Sequence, residues 1–133
     1  MKVKPKPKST AKLKKKLDKI FSLFIRLRDT NKDGYGECYT CGKRLHYKQG
    51  HCGHFIPRNI LVTRWDENNS RLQCPGCNLW GNGKILDFED RLVKEIGREA
   101  VDKMKASRFE ILKVDSAWYE NKITYYSQLV PNS

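Results

Sequence analysis

Two C-x-x-C pairs, Cys38/Cys41 and Cys74/Cys77, constrain this chain more than any other feature. Each pair puts two thiols on one tight turn, close enough to share a metal ion. Two such knuckles close a tetrahedral four-sulfur site, which Zn²⁺ fills without redox activity. Residues 42–73 must then leave and return to one point in space. Gly42 follows the first pair and Pro75-Gly76 lie inside the second, so the backbone can bend close to the sulfurs. A redox dithiol would need one active pair in a βαβ context, and that context is absent. Four thiolates saturate zinc, so this metal is structural. Cys52 is left over, and an odd count without a secretory signal argues against a disulfide scaffold. A chain of 133 residues is one domain by length, and small domains often add a metal to a modest core.

The charge points to a partner. Net charge is +12, and residues 1–19 hold nine Lys against one Asp, or +8 of that total. Lys and Arg gain by displacing condensed counterions, so a polyanion is implied, with nucleic acid first. A solubilising tail is the bland alternative. An anionic membrane surface fits less well, because no amphipathic anchor accompanies the Lys run. No apolar run is long enough to span a bilayer, and the basic N-terminus lacks the apolar core of a signal peptide. A cytoplasmic protein is expected.

The pattern along the chain predicts a small α+β domain. Residues 1–9 alternate Lys with Pro and read as a disordered basic arm. A helix is expected over 10–28, with Leu13, Leu17, Ile20, Phe24 and Leu27 as one apolar stripe. That stripe suits either the domain's own core or the seam of a homodimer. Residues 29–133 then form the zinc-containing unit with its C-terminal helices. Asp29, Asn31, Asp33 and Gly34 imitate the start of a calcium loop, but the twelfth position is Thr40 rather than Glu, so a turn is expected. Short strand-like pieces lie at Leu45-His46-Tyr47, Phe55-Ile56 and Ile60–Thr63, and 64–83 reads as loop. Ile85, Phe88, Leu92, Val93 and Ile96 predict a helix that Gly97 ends. A shorter helix follows from Arg98 to Ala106. The last starts near Asp115 or Ser116, with Tyr119, Ile123, Tyr126 and Val130 on one face.

Between the knuckles lies Gly50-His51-Cys52-Gly53-His54, two of the chain's three histidines within four residues. A Gly-flanked His pair inside a metal-stapled loop is a candidate for proton transfer. Asn78 directly follows Cys77, so a structural metal would pin it in space. It could offer a hard cation such as Mg²⁺ a fixed oxygen, or cap the next segment.

These residues carry a resemblance. C-x-x-C, then G-H-F-I-P-R, then N-N-S-R-L-Q-C-x-x-C-N resembles the HNH (ββα-metal, His-Me finger) nucleases with a zinc-knuckle frame. The further details T-R-W-D-E-N-N, Q-C-P-G-C-N and I-G-R-E-A-V resemble the phage NinG/Rap recombination endonucleases over about residues 36–105. The C-x-x-C-N element is also similar to that of phage Holliday-junction resolving enzymes. The resemblance implies a zinc-stapled ββα-metal core. It implies a metal-dependent endodeoxyribonuclease hydrolysing phosphodiester bonds, on branched recombination intermediates of Holliday-junction or flap type, in a bacterial host cell. His54 then matches the general base, Asn69 the loop-orienting Asn, and Asn78 a ligand of the catalytic Mg²⁺ or Mn²⁺. The residue before the hairpin His is usually a metal ligand, and here it is Gly53. Either His51 supplies that ligand, or His54 binds the metal and His51 is the base. Asn82, Asp66 or Asp87 could complete the site. Arg58, Arg64 and Arg71 are candidates to grip phosphates, as are Lys12, Lys14, Lys15 and Lys16 on the first helix. Two other readings stand beside this one: a zinc-stabilised DNA-binding protein without catalysis, and a nicking nuclease indifferent to branches.

Overall fold

The computed structural model describes residues 10–131. The basic arm expected over 1–9 lies outside the described residues.

The N-terminal apolar stripe forms α1, Thr10–Arg28. Leu17, Phe21 and Ile25 are its fully buried residues, with Leu13, Ile20 and Phe24 packed beside them. Their main partner is α5, Ser116–Leu129, which contributes Tyr119, Ile123 and Tyr126. The buried face is thus shifted from the expected stripe, of which Leu17 is buried and Leu13, Ile20, Phe24 and Leu27 are half-buried. Trp65 fills the same core and meets Tyr119 edge-to-face at 5.5 Å. Asp115 caps α5, its carboxylate accepting the Trp118 N–H at 3.0 Å.

Two antiparallel hairpins follow α1. β1, Tyr35–Glu37, pairs with β2, Arg44–His46. Asn31 accepts the N–H groups of Asp33 and Tyr35 at 3.0 Å, so the calcium-loop imitation is a turn. β3, His51–His54, pairs with β4, Ser70–Gln73, setting His51 opposite Gln73 and His54 opposite Ser70. Cys38 and Cys41 sit in the turn of the first hairpin, and Cys74 and Cys77 follow β4. Leu72 and Leu45 pack between the pairs.

The long connection from β3 to β4 differs from the strand expected over Ile60–Thr63. It contains a short helix, α2, Leu61–Arg64, and a 3₁₀ turn, Glu67–Asn69. A short β-branched run does not distinguish strand from helix by periodicity alone. Conversely, β4 falls where the sequence reads as loop. All four of its residues are buried.

α3, Ile85–Ile96, and α4, Arg98–Ser107, pack on each other and on Tyr39, Phe55 and Ile56 as a second core. Gly97 stands between them at φ +93°, a conformation that favours glycine. Among the described residues, no helix is long and apolar enough to cross a membrane.

Candidate functional site

The four Sγ atoms of Cys38, Cys41, Cys74 and Cys77 lie within 4.8 Å of one another, with Cys41 and Cys74 3.7 Å apart. A tetrahedral Zn–S bond of about 2.3 Å requires sulfurs about 3.8 Å apart. The cluster could therefore hold a structural metal such as zinc. The surroundings favour thiolate at Cys38. Burial opposes the charge, but backbone amides and the Thr40 hydroxyl outweigh it and bring the thiol down to about 6. Cys52 behaves oppositely: burial pushes its thiol up to about 12, which marks it as an inert packing residue.

Next to this cluster, β3 and the turn after β4 border an open groove of about 490 Å³. His51, His54, Asn78, Lys48, Arg58 and Asp18 all reach it. The Gly76–Trp80 turn is a single π-type helical turn with Cys77 inside it, so the cluster fixes Asn78 from the neighbouring position. Asn78 donates from Nδ2 to His51 Nδ1 at 3.0 Å.

His54 is held differently. Its Nε2 lies 3.0 Å from the Arg64 carbonyl oxygen. A carbonyl only accepts, so Nε2 carries the proton and Nδ1 is left as the basic nitrogen. Burial lowers the imidazole pKa below its ordinary value, outweighing the Arg64 carbonyl that raises it.

Asn69 explains why that carbonyl is where it is. It is fully buried. Its Oδ1 accepts the Ile56 N–H at 2.7 Å, and its Nδ2 donates to the carbonyls of Ile56 and Thr63, each at 3.1 Å. It ties the β3–β4 connection together one residue before Arg64. Asn69 is thus buried, does not border the groove, and orders the loop through these three hydrogen bonds.

Gly53 also has a local reason. A Cβ there would overlap the Gln73 side chain on the facing strand. A larger residue at this position would require the Gln73 side chain to move.

Several sequence candidates are not at the groove. Asn82 is exposed in a turn at φ +54° and does not border it. Asp87 is exposed on the first turn of α3, and Asp66 caps the 3₁₀ turn by accepting the Asn68 N–H at 2.9 Å. Arg71 is buried, not a phosphate grip. It donates to the carbonyls of Glu67, Asn68 and Ser70 and to Glu95. Arg64 is committed to Asp18, through Nε at 3.0 Å and through Nη2. Only Arg58 keeps an exposed side chain, paired loosely with Asp18 at 3.3 Å. Lys12, Lys15 and Lys16 are exposed on α1 and Lys14 half-buried.

Asp18 is the residue the sequence reading did not single out. It receives Arg58, Arg64 and the Trp65 indole N–H, and so ties α1 to the loop behind His54. The available signal was its isolation as the one acid in a Lys-rich segment.

Fold and site together define a small mixed α+β domain built around a four-cysteine cluster. The family model of the bacteriophage lambda NinG protein matches residues 1–131, and the chain belongs to this family. Protein ninG of Escherichia phage 933W is 31% identical over 94 residues, covering 70% of this chain and 44% of the relative. The ninG proteins of Escherichia phage lambda and Salmonella phage P22 are each 28% identical over 116 residues, covering 82% of this chain. Those alignments cover 54% and 55% of the relatives, so the chain spans about half the length of the curated relatives it matches. No solved structure matches it.

Proposed function

We propose that this protein is a metal-dependent DNA endonuclease, with His54 as general base and His51 and Asn78 as the pair that holds a divalent cation. One observation carries the reading. A buried imidazole with a free Nδ1, an imidazole–amide pair and a cationic rim share one groove on a hairpin stapled by the cysteine cluster. β3, β4 and the helical turn bearing Asn78 follow one another as a ββα-metal core would. His54 Nδ1 takes a proton from the attacking water, and its low pKa keeps it neutral for that purpose. Arg58 turns from Asp18 to a flanking phosphate.

The donor set suits such a cation. His51 offers an imidazole nitrogen, and rotation of the Asn78 amide brings its oxygen to the same point. Imidazole suits Mn²⁺ better than Mg²⁺, which prefers oxygen alone. When bound, the cation supplies charge neutralisation at the scissile phosphate and its leaving oxygen. Branched DNA, of four-way or flap type, is the proposed substrate, on the family resemblance.

A second reading has one observation in its favour: the His51–Asn78 bond closes the pair on itself, as in a DNA-binding protein without catalysis. Matched linear, flap and four-way DNA, incubated with Mg²⁺, Mn²⁺ or no added divalent ion, separates the readings. Cation-dependent cleavage with branched DNA preferred is expected. Binding without cleavage supports the second reading, and equal cleavage of all three a branch-indifferent nicking nuclease.

A further inference from the structure

The turn that carries Asn78 continues into a set of large apolar side chains facing solvent. Trp80 is 85% exposed, Leu86 82% and Leu79 56%. Their backbone is nevertheless fixed. The Gly81 N–H donates to the Gly76 carbonyl at 2.8 Å, and the Gly83 N–H to the Cys77 carbonyl at 2.9 Å. The indole therefore projects from a turn anchored at a cluster cysteine.

Its neighbourhood indicates what it meets. Leu79, the residue before it, borders the same groove as Asn78 and His51. Lys48, Arg58 and Arg26 line that groove against one acid, Asp18, and net charge is +12. A cationic channel leading to an exposed aromatic is the combination that holds single-stranded nucleic acid, with phosphates in the channel and a base on the ring. Inside a duplex both faces of each base are already stacked, so a projecting indole finds a partner only where a base is unpaired.

We propose that Trp80, next to the groove-lining Leu79, is a stacking platform for an unpaired nucleobase of the DNA that occupies the groove. This rests on the DNA-binding part of the functional reading and not on cleavage. The test is therefore made without added divalent ion, on the full chain with its structural metal. Affinity is measured by fluorescence anisotropy for a duplex with an unpaired bulge and for the same duplex fully paired. Trp80→Ala should lose about tenfold on the bulged DNA and leave the paired duplex unchanged, while Trp80→Phe retains the preference. Equal metal content in the variants shows that the knuckle is intact. Unchanged bulge affinity in Trp80→Ala, or an equal loss on both DNAs, overturns the platform. So does a drop in oligomeric mass, which would assign Trp80 to a contact with a second copy. A wild-type protein that binds neither DNA defeats the DNA reading itself, and that result is distinct from failure of Trp80 alone.

Discussion

As the proposed base, His54 needs one ring nitrogen unprotonated, and its surroundings set which nitrogen that is and over what pH range. The Arg64 carbonyl accepts the Nε2–H and so fixes the tautomer with Nδ1 bare; it favours the imidazolium, but burial disfavours that charge and outweighs it. Activity requires the neutral ring, and protonation on acidification removes it. Because the pKa lies below the ordinary 6.5, cleavage should persist below pH 6.5 and fail only at lower pH. A kcat/KM profile whose acid limb sits above 6.5 would contradict this assignment. His54→Ala should lower cleavage by about 10²–10⁴-fold with metal content and DNA binding intact. His51→Ala should instead raise the Mn²⁺ concentration needed, as its proposed ligand position requires. If His54→Ala cuts well and His51→Ala does not, the roles are exchanged. Asn69→Ala belongs to a different class. It strands the buried Ile56 N–H and two carbonyls, so it should cost about 2–4 kcal/mol of stability in a denaturant titration. Lost cleavage there should follow from a loosened loop.

The knuckles join the two hairpins, beside a Tyr39 N–H bond to the Leu72 carbonyl at 2.8 Å, a Gln73–Thr40 side-chain bond at 3.0 Å and the packing of α1 against β3 and β4. Each sheet has only two strands, too few to stand alone in water, and the core between the pairs is chiefly Leu45 and Leu72. Chelation of the structural metal should therefore abolish the cooperative unfolding transition, and Cys41→Ser should weaken metal retention even though Cys41 is exposed. Metal well below one equivalent in a fully folded protein would sink this. The four cysteines were legible because C-x-x-C spacing is itself a geometric statement. The helices were legible for a similar reason. Leu17 on α1, Phe88 and Leu92 on α3, and Tyr119, Ile123 and Tyr126 on α5 repeat at helical intervals and are buried. The strands were not. β3 reads His-Cys-Gly-His, with weak strand propensity, and its pairing with β4 is set by the knuckles and by Gln73 over Gly53. The same limit applied to the arginines. Arg58, Arg64 and Arg71 look alike in sequence, but only the fold spends Arg64 on Asp18 and buries Arg71 under carbonyls.

At the scale of the molecule, the proposed nuclease raises the question of how one groove could cut two strands. A symmetric cut across a four-way junction needs two sites, and the chain places His51, His54 and Asn78 on one groove. A homodimer would supply the second site, and the α1 stripe suggested itself as the seam. Leu17 of that stripe lies in the core between α1 and α5, where Phe21 and Tyr126 meet edge-to-face at 5.2 Å, while Leu13, Ile20, Phe24 and Leu27 are half-buried, so pairing through the whole stripe would open the main core. Replacing Phe21 by Ala should accordingly destabilise the fold itself, by about 3–5 kcal/mol. The remaining way to a pair is through DNA. A net charge of +12 makes copies repel in solution, and a junction's phosphates remove that repulsion while presenting two equivalent arms. The expected outcome is a monomer at micromolar concentration and two copies on each four-way junction, with binding that weakens steeply as salt rises. Light scattering with and without junction DNA across a salt series measures all three. A dimer in the absence of DNA would mean that a surface other than the stripe joins the copies. One copy on the junction would leave a nuclease that nicks a single strand at each encounter.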